Sequence, residues 1–127
     1  MDVKLRLMAL LSVSGLAIAQ GVDASAVAKA AAMELGEGRL AALHARFAED
    51  LKTALSEELL ADPLVKDLVA GAGTFEGIEG VPACQAVQAS QSCIVPMMYK
   101  LAKIRLRFTI DAAGRVAGMF VVGREAR

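Results

Sequence analysis

Two cysteines, one histidine, one tyrosine and a pair of strand arginines are the residues through which this chain could do chemistry. Cys84 and Cys93 have eight residues between them. That spacing suits a staple across a hairpin with arms Val81–Val87 and Cys93–Tyr99. Closing so short a loop would stabilise a fold by ~2–3 kcal/mol on the chain-entropy argument. A redox-active pair is the alternative, but the usual Cys-x-x-Cys spacing is absent, and free thiols are a third state. One histidine and two cysteines fall short of the four ligands a structural zinc takes. The chain has no phosphate-cradling glycine loop and no Gly-x-Ser-x-Gly elbow, so no cofactor is expected.

His44 falls on an apolar helical stripe and would point at a sheet. It is either a general base at the floor of a pocket, with Tyr99 as its acid–base partner, or a core histidine with one hydrogen bond. No acid or nucleophile motif accompanies it, which favours the second. Arg105 and Arg107 share one strand face with Lys103. They form an anion or partner site, or a solvated surface where charge discourages edge pairing, and the second is favoured. Met97, Met98 and Met119 fit an adaptable apolar pocket or plain core. The binding candidates are therefore His44, Phe47, Met98, Tyr99, Arg105 and Arg107, and no residue is assigned as catalytic. Asp111, in a turn ahead of Gly114, is expected to bond its own backbone.

These residues need elements to position them. Leu40, Leu43, Phe47, Leu51 and Leu55 recur at spacings of three and four, which predicts one amphipathic helix over Arg39–Leu55. Ser56, followed by Glu57 and Glu58, starts another. Asp62-Pro63 interrupts it, and Gly71 and Gly73 end it. Residues 20–38 are alanine-rich without a sharp apolar stripe, so they read equally as a short helix or a mobile leader. After Gly73 the period becomes two. Ile104, Leu106, Phe108 and Ile110 face one way, and Lys103, Arg105, Arg107 and Thr109 the other. Residues 115–122 are apolar on both faces, which predicts a central or covered last strand. The sum is one α+β domain over 39–127: helices packed on a curved antiparallel meander.

The chain's start supplies the compartment. Lys4 and Arg6 precede a charge-free run from Leu7 to Ile18, and Ala17-Ile18-Ala19 follows the small-residue rule for cleavage. Residues 1–19 read as a secretory signal peptide cut after Ala19. The run is shorter than the ~20 residues a membrane span needs. Export to the periplasm or beyond meets oxidising conditions, which favours a structural disulfide. Fourteen basic residues balance fourteen acidic ones, so nothing favours nucleic acid or an anionic membrane. The expected partners are a protein, a small apolar ligand or a second copy of the chain, with no membrane contact after cleavage.

The block Val95–Val121, VPMMYKLAKIRLRFTIDAAGRVAGMFV, resembles the closing strands of a small uncharacterised family of secreted bacterial domains. Val95, Pro96, Asp111, Gly114, Arg115, Val116, Ala117, Gly118, Met119 and Phe120 carry the likeness. Phe47, Leu51, Lys52, Ala54 and Leu55 leading into Ser56-Glu57-Glu58-Leu59 add to it, as do Gly73, Phe75 and Ile78. That family is grouped with the nuclear-transport-factor-two-like, or cystatin-like, α+β folds. The resemblance implies helices across a curved sheet and a non-catalytic secreted binding domain, and relatives of the fold commonly pair as dimers through the sheet. Some relatives of the fold are small isomerases or dehydratases, and some family members accompany an exported hydrolase. In the isomerase-type case, His44 and Tyr99 would have to face one cavity.

Overall fold

The computed structural model describes residues 22–127, and the expected signal peptide, with its expected cleavage after Ala19, lies outside the described residues. The chain is α+β, with helices first and a five-stranded antiparallel sheet after them. Helix α1 (Ala24–Gly36) begins at Asp23, whose carboxylate accepts a hydrogen bond from the Ala26 amide at 3.1 Å. Its buried face is Ala24, Ala28, Ala31, Ala32 and Leu35. Small side chains let it lie close to the sheet, and they also explain why the sequence shows no apolar stripe there. The helix belongs to the hydrophobic core. A domain boundary at Arg39 therefore leaves out part of the core, and the leader reading gives way to a helix.

The single helix expected over Arg39–Leu55 is two: α2 (Leu40–Ala45) and α3 (Glu49–Ala54). Between them the backbone turns to meet the sheet. The Ala48 amide donates to the Val116 carbonyl at 2.8 Å, and the Val116 amide donates to the Arg46 carbonyl at 2.9 Å. This bridge pushes Phe47 fully into the core. Two backbone hydrogen bonds and a buried ring outweigh a continuous helix. Arg46 then reaches back to α1, where Glu34 accepts from its Nε at 2.7 Å and from its Nη2 at 3.0 Å. Glu34 is the one buried charged side chain among the described residues, and this paired geometry answers its burial. The hydrogen bond to Glu34 also raises the Arg46 guanidinium above its ordinary value.

The next segment starts at Ser56, whose hydroxyl accepts from the Leu59 amide at 3.2 Å. It runs through α4 (Glu57–Leu59), a wide helical turn Leu60–Val65 and α5 (Lys66–Leu68). Asp62 breaks it with extended angles, φ −148° and ψ 117°.

The strands are β1 (Phe75–Ile78), β2 (Ala83–Val87), β3 (Ser90–Tyr99), β4 (Ala102–Ile110) and β5 (Val116–Ala126). One edge of β3 carries two short strands end to end. β2 pairs with Ser90–Ile94, while β1 pairs with Met97–Tyr99. The other edge pairs with β4, which pairs with β5. The β2 arm therefore covers only the first half of β3, not the whole stretch to Tyr99. Cys84 and Cys93 are register partners and are joined by a disulfide. Cys93, Val95, Met97 and Tyr99 alternate inward on β3, as do Ile104, Leu106, Phe108 and Ile110 on β4. The β4–β5 turn closes as its chemistry requires. The Asp111 carboxylate accepts from the amides of Ala113 at 3.0 Å and Arg115 at 2.9 Å, and Gly114 takes φ 82°.

β5 is an edge strand, not a central or covered one. Phe120, Val121 and Val122 are 60%, 53% and 39% exposed. The strand pairs with β4 along its length, Met119 packs against the core, and its ends are tied to the helical segments. Val116 is held by the bridge, and the Arg124 guanidinium donates to the carbonyls of Leu68 and Ala70 at 2.6 and 2.5 Å. Among the described residues no helix is long and apolar enough to cross a membrane.

Candidate functional site

The sequence candidates separate onto two sides of the sheet. His44, Phe47 and Tyr99 lie on the helix side. Met98, Arg105 and Arg107 lie on the open side, opposite the inward-facing residues of β3 and β4. His44 is half-buried, and its Nε2 lies 3.0 Å from the Leu55 carbonyl oxygen. Its ring sits 5.3 Å from that of Phe47. The contact joins α2 to the end of α3, which is a structural duty. Phe47 bridges Val116, and Val116 pairs with Ile110 at one end of β4. Tyr99 lies at the other end, just before Ala102. The nine residues of β4 from Ala102 to Ile110 span about 26 Å at the usual rise. His44 and Tyr99 therefore do not meet, and the acid–base pair imagined for an isomerase-like pocket is not assembled.

Tyr99 is 3% exposed, packs 5.2 Å from Phe75, and its hydroxyl has no hydrogen-bond partner among the described residues. Burial pushes its phenol up to about 12. A proton donor held that firmly is poorly suited to acid–base work near neutrality. Met97 is core and Met98 faces the open side. Met119 lines an apolar hollow of about 310 Å³ with Leu64, Leu68, Leu106 and Val121.

Strand register organises the open face into rows. Gln85, Ser92, Thr109 and Gly118 are successive partners across β2, β3, β4 and β5. The next row is Ala83, Ile94, Arg107 and Phe120. Beyond it come Pro96, Arg105 and Gly123, then Met98, Lys103 and Glu125. The cations in the last two rows are neutralised. Lys103 lies 2.7 Å from Glu79, and Arg105 lies 3.4 Å from Glu125. The hydrogen bond from Lys103 holds the Glu79 carboxyl below the usual carboxylate range, and the charges of Lys103 and Arg127 add to this. Arg107 makes no ion pair among the described residues.

A hollow of about 530 Å³ opens over the first two rows. Gln85, Ser90, Ser92 and Thr109 supply polar groups, and Arg107 and Phe120 stand at its side. His44, Phe47 and Tyr99 line neither the polar nor the apolar hollow. Phe120 borders both the polar and the apolar hollow. Sequence reasoning found Arg107 but missed Phe120, Ser92, Thr109 and Gln85. The signal that finds them is the pairing register, carried through the Cys84–Cys93 pair to β4 and β5. The chain matches no protein-family model, no curated protein and no solved structure, so what it does is legible only in its own residues.

Proposed function

We propose that this chain is an exported, non-catalytic binding domain that takes its partner on the open face of the sheet, around Arg107 and Phe120. The observation that carries this reading is a guanidinium with no ion pair among the described residues and a 60% exposed phenyl ring, opposite one another in register beside a polar hollow. Arginine and aromatic side chains, phenylalanine included, are enriched where proteins bind their partners. On the helix side Phe47 and Phe108 are fully buried, and the apolar hollow beside Leu64, Leu68 and Met119 is lined almost wholly by apolar side chains. Export rests on the basic start, the charge-free run and Ala17-Ile18-Ala19. The disulfide agrees with an oxidising compartment.

A photo-crosslinking amino acid placed at position 120, with a control at the exposed Glu58, tests the binding face in the producing cell. Intact-mass measurement of the exported product should show an adduct at position 120 and none at 58. Equal labelling at both, or none at either, would count against the open face. The same spectra should give a product that begins at Gln20.

A further inference from the structure

We infer that the hollow on the open face is a site for a small acidic saccharide, a polyhydroxylated ring bearing one carboxylate. The inference rests on the open face being the binding surface, and it adds the chemistry of what is bound. Charge supplies the first part. Of the three cations along the outward face of β4, Lys103 and Arg105 are matched by Glu79 and Glu125, while Arg107 has no acid among the described residues. A guanidinium presents a planar fork of donors that a carboxylate meets with two parallel hydrogen bonds. One cation balances a singly charged ligand, and a doubly charged phosphate would be left half-matched.

The polar row supplies the second part. Gln85, Ser92 and Thr109 lie side by side across three strands. Among the described residues their side chains make no hydrogen bond to the protein. Hydroxyl and carboxamide groups both donate and accept. Sugar hydroxyls do the same, so every partner on such a ring can be satisfied. A purely apolar ligand would cover these groups and leave them unpaired, at a cost.

Phe120 supplies the third part. A Cβ added at Gly118 would come within 3.2 Å of Phe120 Cε2 and 3.4 Å of Thr109 Oγ1. The missing side chain lets the ring lie down beside the polar row. A pyranose carries C–H bonds on its faces, and such a face packs against an aromatic ring while its edge hydroxyls stay free. Register sets the scale. Neighbouring partners across strands stand about 5 Å apart, and successive rows about 7 Å apart. Carboxylate, apolar face and hydroxyls thus fall within the reach of one six-membered ring. A hollow of about 530 Å³ holds one or two such rings.

The test is an amide NMR titration of the labelled exported protein with D-glucuronate, D-glucose and acetate at fixed ionic strength. Glucuronate should move the amides of Ser92, Thr109, Gly118 and Phe120 and saturate, with glucose and acetate each at least tenfold weaker. Arg107→Gln should weaken glucuronate about tenfold and leave the glucose response unchanged. Phe120→Ala should weaken both sugars and spare acetate. Unchanged dispersion elsewhere in each spectrum shows that the variant is folded. Absence of saturable shifts with glucuronate overturns the inference. So does acetate matching glucuronate, which would reduce the site to an anion contact. In either case an adduct at position 120 in the crosslinking experiment would leave the binding face standing and remove only the ligand class.

Discussion

Tyr99 is the only tyrosine in the chain and tryptophan is absent, so one phenol can be titrated without interference. Its hydroxyl is buried with no partner among the described residues, and burial pushes its pKa up to about 12. In the unfolded chain the phenol ionises near the ordinary value of about 10. Below about pH 10 both states keep the proton, and this group adds no pH dependence. Between about 10 and 12 the unfolded chain releases its proton while the folded chain holds it. Stability therefore falls as pH rises through that window, by about 2 kcal/mol at the top of it. Phenolate absorbance should show a midpoint near 12 in native buffer and near 10 in denaturant. Denaturant unfolding at several pH values should show the matching loss. Tyr99→Phe removes an unpaired buried hydroxyl at little cost, and it should remove this loss between pH 10 and 12. A native midpoint near 10 would place the phenol in water and refute the packing of β3 against Phe75 and α1.

Other expectations concern the staple, the buried ion pair and the floor of the open face. Replacing Cys84 and Cys93 by serine should cost up to about 2.7 kcal/mol in denaturant unfolding. The loss should be accompanied by faster amide exchange in β2, whose residues are all exposed. Unchanged stability would show that the loop is not held by the bond. Arg46→Met leaves Glu34 buried and unpaired and should cost about 2–3 kcal/mol, at the low side for a buried pair because Arg46 is a third exposed. Adding Glu34→Leu to it should recover part of that loss, and a strictly additive double mutant would contradict the pairing. Lys103→Met should raise the pH at which the Glu79 carboxyl titrates, as followed by carboxyl NMR. No movement would show that the 2.7 Å contact is not held in solution. Gly118→Val should displace the Phe120 ring and weaken whatever binds the open face, with little effect on the melting temperature.

What could be read from the sequence depended on whether the signal was local. β4 was legible because Ile104, Leu106, Phe108 and Ile110 alternate with charged residues, and that alternation is the strand itself. The Asp111–Gly114 turn was legible for the same reason, since its hydrogen bonds close within a few residues. Helix α1 was ambiguous because its buried face is alanine, and a face that packs by being small carries little hydrophobic contrast. The break at Arg46–Ala48 was hidden because the apolar stripe runs unbroken through Phe47. What ends the helix is Val116, seventy residues away in the chain. The exposure of β5 was misread because apolar residues on both faces also describe a covered strand. The polar row was out of reach altogether, because Gln85, Ser92 and Thr109 become neighbours only through pairing register. Of the site candidates, Arg105, Arg107 and Met98 fall on one face, while His44, Phe47 and Tyr99 hold the core together.

The proposed binding face is tested most directly by the amide NMR spectrum of the labelled protein over residues 20–127, recorded in buffer and then in concentrated fluid from the producing cells. Shifts or broadening should centre on Ser92, Arg107, Thr109 and Phe120, with Ala28, Leu43 and Val95 unmoved. Perturbation centred on His44 and Leu55, or on Tyr99 and Phe75, would place binding on the helix side and contradict the open face.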